Sequence, residues 1–150
     1  MAANIDPIFT VTPKIGHGDI PTAFANVKSD GAIVIGTDGV LAFSAGANGS
    51  YIQRVRFSIN GSAAAVTSVA TTLRIFLSTI ASGTATAATA FLLAEISVPA
   101  ISASHSTNAT NYYDVPLNIA IPAGYNVLVT QHLAQTANSN WQALVIGGDY

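Results

Sequence analysis

The chain has 150 residues, half of them hydrophobic by type, yet only 8% are charged and the formal net charge is −2. An ordinary soluble domain carries about 25% charged residues. The balance excludes nonspecific attraction to nucleic acid, the lack of cysteine excludes disulfides and thiolate metal sites, and no apolar run approaches the roughly 20 residues of a membrane helix.

Met1 to Thr10 has neither a basic start nor an apolar centre and does not read as a signal peptide. Residues 1–30 hold three prolines and little regular pattern, and are expected to form an extended arm ahead of one domain over 31–150. Short strand candidates are Ile8 to Ile15, Thr22 to Val27 and Ala32 to Ile35, with His17 in a loop-like Gly-rich stretch. Gly36 to Gly39 and Asn48-Gly49 are turn chemistry. Tyr51 to Ile59 alternates with period two: Tyr51, Val55, Phe57 and Ile59 on one face, Ile52, Arg54, Arg56 and Ser58 on the other. Asn60-Gly61 then predicts a tight turn.

Thr71 to Thr79 repeats the alternation, with Leu73, Ile75 and Leu77 inward and Arg74, Phe76 and Ser78 outward. Ala81 to Ala90 is loop-like, because its Thr and Gly outweigh the helical preference of Ala. Phe91 to Val98 is apolar on both faces and predicts a central strand or a covered outer face. The polar Ser102 to Asn111 stretch is a loop containing His105. Val115 to Ile121 places Val115, Leu117, Ile119 and Ile121 on one face; Pro116 has no N–H to donate, so an edge strand is expected. Pro122 to Gly124 is a turn, Tyr125 to Leu133 and Trp141 to Ile146 are strands, and Gly147-Gly148 is a break. Three glycosylation-type triplets, at Asn48, Asn60 and Asn108, read as turns. Eight or nine short strands without a helical stripe predict an all-β, antiparallel β-sandwich or barrel.

No catalytic signature emerges, and no catalytic, cofactor-binding or metal site is assigned. His17, His105 and His132 are scattered rather than clustered at ligand spacing. Of the seven acids, most sit in turn-like stretches, and Glu95 with Asp114 is the pair that strand pairing can bring together. There is no nucleophile elbow and no phosphate-cradling glycine loop. One constellation stands out: Arg54, Arg56 and Arg74 are all the arginines of the chain, each on the polar side of a predicted strand, with Phe76 beside Arg74. Arginine and aromatic residues are enriched in interface hot spots. If the two strands share a sheet, they form a basic patch with an aromatic anchor; an ordinary solvated face is the plainer reading. Tyr112 and Tyr113 are expected at an edge or interface, and Trp141 in the core rather than in a carbohydrate-stacking platform.

Three segments in series, Leu73 to Leu77 (LRIFL), Leu92 to Pro99 (LLAEISVP) and Val115 to Tyr125 (VPLNIAIPAGY), resemble small jelly-roll structural proteins of tailed bacteriophages. Among these the capsid cement or decoration proteins are the nearest in size. The resemblance covers about the C-terminal half and rests on strand and turn patterns. It implies a jelly-roll sandwich and a virion protein, made in the host cytoplasm. Such a protein sits on the capsid exterior as a homo-oligomer (a trimer favoured, a dimer possible) and bridges major capsid protein subunits. No enzyme activity, nucleic acid or membrane is implied. The composition agrees: 26 Ala, 15 Thr, 13 Ser and 12 Gly give a small, weakly polar surface that docks with little charge to desolvate. A tail-fibre or receptor-binding head and a carbohydrate-binding module are the competing readings.

Overall fold

The computed structural model describes residues 10–61, 66–103 and 112–150. In chain order the strands are β1 (Thr12–Ile20), β2 (Ile33–Val34), β3 (Gly39–Ser44), β4 (Ser50–Gly61), β5 (Val66–Thr67), β6 (Thr71–Ser78), β7 (Thr84–Ala85), β8 (Ala90–Val98), β9 (Ser102–Ala103), β10 (Tyr112–Ile121), β11 (Asn126–Gln131) and β12 (Ser139–Asp149). Two antiparallel four-stranded sheets form a β-sandwich, the first in the order β1-β12-β4-β10 and the second β3-β11-β6-β8. The chain folds back on itself, so that β1 pairs β12, β3 pairs β11, β4 pairs β10 and β6 pairs β8. These four pairs alternate between the sheets, like one long hairpin rolled up.

Period-two patterning fills the space between the sheets. Ile20, Phe43, Val55, Phe57, Leu73, Ile75, Val127, Val129 and Val145 pack there with Trp141. Trp141 is fully buried and tilted against Tyr113, with ring centroids 6.0 Å apart, and its indole Nε1 has no hydrogen-bond partner among the described residues. β10 is an edge strand, as Pro116 predicts.

The second sheet is buried on its outer face as well. Ile33, Phe76, Ala85, Ala90 and Leu128 form a smaller apolar cluster there, roofed by the segment that leads into β2 and by β7. All six residues of β11 are therefore buried. Gln131 pins the roof: its Nε2 donates to the carbonyls of Pro21 (3.1 Å) and Phe24 (2.7 Å), and its own carbonyl accepts from Asn26 N at 2.8 Å.

Several expectations are corrected by this arrangement. Residues 12–20 are not part of an arm but strand β1, hydrogen-bonded along its length to β12, while residues 21–30 lie over the second sheet; residues 1–9 fall outside the described residues. Thr22 to Val27 forms no strand, because its backbone bonds go to Gln131 and Gln135 instead of a ladder. His17 sits on β1 rather than in a loop. Ile52 is buried and Tyr51 half-exposed, the reverse of simple alternation, because Gln53 is an extra residue of β4 against β12; against β10 the register shifts at the same level, with Leu117 and Asn118 of β10 spanning the single Gln53. β8 is an edge strand with Phe91 and Leu92 exposed, neither central nor covered. Asn60-Gly61 and Gly147-Gly148 continue strands instead of breaking them. At Gly147 the backbone of Tyr51 passes so close that a Cβ would overlap its carbonyl oxygen. His105 and the Asn108 triplet lie outside the described residues.

One end of the sandwich is closed by a polar clasp. Lys14 Nζ lies 3.0 Å from Asp149 Oδ2 and donates to the Ser44 carbonyl at 2.7 Å, while Ser50 Oγ donates to Asp149 Oδ1. The Ser50 hydrogen bond, then Lys14 and the Gly46 amide, hold the Asp149 carboxyl below its ordinary value, against the opposing effect of burial. A carboxylate depressed in the folded state adds stability above its unfolded pKa and loses it as pH falls through the folded value. The contribution of Asp149 should thus be in place above about pH 5 and be lost as pH falls below about pH 4. Asp149→Asn should flatten that decline in denaturation curves taken across the acid range; an unchanged slope would assign it elsewhere.

Candidate interaction surface

The outer face of the first sheet carries no roof among the described residues. Register fixes which side chains share it. Ile15 lies opposite Ile146, Ile146 opposite Arg54 and Arg54 opposite Pro116. The next row is His17, Leu144, Arg56 and Asp114, and the one beyond is Asp19, Gln142, Ser58 and Tyr112. Their chain neighbours Gly18, Ala143, Val145, Val55 and Phe57 are buried, so these residues point outward. Ile15 is 66% exposed and Tyr112 57%.

The β4–β10 side is organised by charge. Arg56 donates from Nε and Nη2 to the two oxygens of Asp114, each at 2.8 Å, and its guanidinium lies 4.3 Å from the centre of the Tyr112 ring. The fork geometry matches the carboxylate and the ring face attracts the cation. Arg54 Nε stands 3.8 Å from the same Asp114 oxygen and makes no hydrogen bond among the described residues. The Arg56 hydrogen bonds hold the Asp114 carboxyl below the ordinary value and raise the Arg56 guanidinium in turn. Two arginines against one aspartate leave one positive charge beside Tyr112. Where β4 bulges, Tyr51 OH donates to Asn118 Oδ1 at 3.1 Å.

Of the six residues singled out from sequence, Arg54, Arg56 and Tyr112 share this face. Tyr113 turns inward onto Trp141. Arg74 and Phe76 lie on the second sheet, so the single basic patch is not formed. Phe76 is fully buried beneath the roof, and Arg74 is buried as a clamp. Its Nη1 donates to the carbonyls of Asn26 (2.9 Å) and Lys28 (3.4 Å), its Nε to Glu95 Oε2 at 3.1 Å, and its Nη2 faces His132 Nδ1 at 3.3 Å. Glu95 and Asp114 do not meet, since each pairs with an arginine of its own sheet.

The sequence reading missed Ile15, Leu144, Ile146 and Asp19. A signal for the β1 residues was present: Gly16 and Gly18 alternate with Ile15, His17 and Asp19. Those glycines face β3, where a Cβ on Gly16 would strike Phe43 and the Ala42 carbonyl. A Gly-x-Gly strand marks its glycine side as the close-packed one.

Among the described residues no group of three or more His, Cys, Asp or Glu is placed to hold a metal ion. A hollow of about 240 Å³ at the bulge is lined by Thr10, Tyr51, Gln53, Ile146 and Gly147, which include no titratable acid–base pair.

No protein-family model matches the chain. No curated protein matches it either. Among solved structures it is similar to a chain from the structure of infectious bursal disease virus, Gt strain, at 15% identity and a TM-score of 0.28, over 99% of this chain and 38% of that one. This chain thus spans well under half the length of that neighbour. The likeness is too weak to establish a shared fold.

Proposed function

We propose that the protein is a structural component of a virus particle, a capsid cement or decoration protein of a tailed phage. It would bind the outside of the major capsid shell and bridge neighbouring subunits. The observation that carries this reading is the asymmetry of the sandwich: the second sheet is covered on its outer face over β11 and β6, whereas among the described residues nothing covers the first, which carries Arg54, Arg56 and Tyr112 among Ile15, Leu144, Ile146 and Pro116. Aromatic and arginine anchors set in apolar surroundings are the composition of docking surfaces. The fold-back strand order supports a jelly-roll winding, with β1 and β12 adjacent and the outer and inner pairs of the long hairpin alternating between sheets. The low charge agrees with a subunit that is desolvated over much of its surface.

The mechanism is mechanical. Each copy that spans two shell subunits buries apolar area at roughly 25 cal/mol per Å², reduced by the entropy of docking. Repeated over many sites, that resists the outward load of packaged DNA. A carbohydrate-binding module loses its main support, because Trp141 is buried and cannot join Tyr112 in a stacking platform.

The deciding experiment is the copy number of this chain in purified particles, measured by quantitative mass spectrometry against the major capsid protein. A near-stoichiometric ratio is expected. A handful of copies would move the protein to the tail and favour a receptor-binding head, and absence from the particle would overturn the virion reading.

A further inference from the structure

We infer that the bare face of the first sheet pairs with the same face of a second copy, about a two-fold axis running parallel to the strands between β12 and β4. This rests on the reading of that face as a docking surface and names its partner.

The register decides the axis. A two-fold parallel to the strands lays β1 of one copy over β10 of the other, and β12 over β4. Row by row, Ile15 then faces Pro116 and Ile146 faces Arg54, His17 faces Asp114 and Leu144 faces Arg56, and Asp19 faces Tyr112 and Gln142 faces Ser58. Ile15 meets an apolar partner, and Ile146 and Leu144 lie against the hydrocarbon stems of the two arginines. The acid at the β1 corner meets the corner where Arg54 and Arg56 outnumber Asp114 and where Arg56 stacks on Tyr112. A two-fold perpendicular to the strands would instead set β4 over β4, arginines against arginines. Opposite charges brought together guide such pairing, and like charges set against each other oppose it. The twist of about 30° between packed sheets displaces the corner pairs by about 5 Å, within reach of the Asp19, Tyr112 and Arg56 side chains.

The area is sufficient. Four strands at the usual spacing and about nine residues of length offer roughly 550 Å² per copy, or about 1,100 Å² in the pair, just above the roughly 1,000 Å² of a specific interface.

The test uses the whole chain in solution. Sedimentation equilibrium should give a two-chain mass at tens of micromolar. Asp19→Arg and Tyr112→Glu, both at exposed positions, should each weaken the dimer about tenfold, and the double variant should return to within about threefold of the parent. Unchanged Trp141 fluorescence and melting temperature show that each variant is folded. A monomeric or trimeric parent overturns the pairing, as do single variants that leave the mass unchanged or a double variant no better than the weaker single. Particle incorporation separates the two readings. If the parent is monomeric and the single variants lose incorporation, the face docks on the shell and self-pairing falls alone. If neither mass nor incorporation responds, both fall.

Discussion

Phe76→Ala should lower the unfolding free energy by about 3–5 kcal/mol, the cost of removing a fully buried aromatic side chain and leaving its space. Phe76 has no exposed surface and packs with Ile33, Ala85, Ala90 and Leu128 between the second sheet and its roof. An outward anchor on a solvated face would lose only about 0.5 kcal/mol on the same truncation. Urea denaturation followed by the emission of Trp141, the one tryptophan of the chain, measures the difference directly. A loss under about 1 kcal/mol would mean that the roof does not bury Phe76 in solution.

Arg74→Ala should cost about 2–4 kcal/mol and act first on the roof. The side chain is only 9% exposed, and its guanidinium spans the Asn26 and Lys28 carbonyls, Glu95 and His132. Truncation leaves the Asn26 carbonyl buried without that donor. Hydrogen exchange should therefore quicken at the amides of Asn26 and Ala32 before it quickens in β4 or β12. Arg74→Lys should recover only part of the loss, because a point charge cannot reach carbonyls and carboxylate together as a planar fork does. Uniform exchange across both sheets would show that Arg74 serves global packing and not the roof.

Arg74 and Phe76 also show where a pattern in the sequence stops being informative. Alternation in β6 correctly separates Leu73, Ile75 and Leu77 from Arg74, Phe76 and Ser78, because side chains of a strand must point to opposite sides of the sheet. It does not say whether the second side meets water. That depends on the segment from Pro21 to Val34, which has no periodicity of its own and is fixed by hydrogen bonds to Gln131 and Arg74. Arg54 and Arg56 have the same pattern in β4, and there nothing among the described residues covers the second side. The bulge at Gln53 adds a further step, since one extra residue exchanges the faces of Tyr51 and Ile52 without any change in composition.

The sequence by itself determined the all-β class, the inward sides of β6, β10 and the part of β4 from Val55 to Ile59, the edge position of the strand with Pro116, the buried place of Trp141 and a surface poor in charge. All of these follow from local physics: the two-residue period of a strand, the missing N–H of proline, the size of an indole and the cost of desolvating ions. Only the tertiary structure decided that residues 12–20 close the first sheet against the C-terminal strand, that Arg74 and Phe76 belong under a roof, and that Ile15, Leu144 and Ile146 join Arg54, Arg56 and Tyr112 on one open face. Those outcomes depend on pairings between distant parts of the chain, and the choice among such pairings is made by how two sheets and a covering segment share the apolar area available to them.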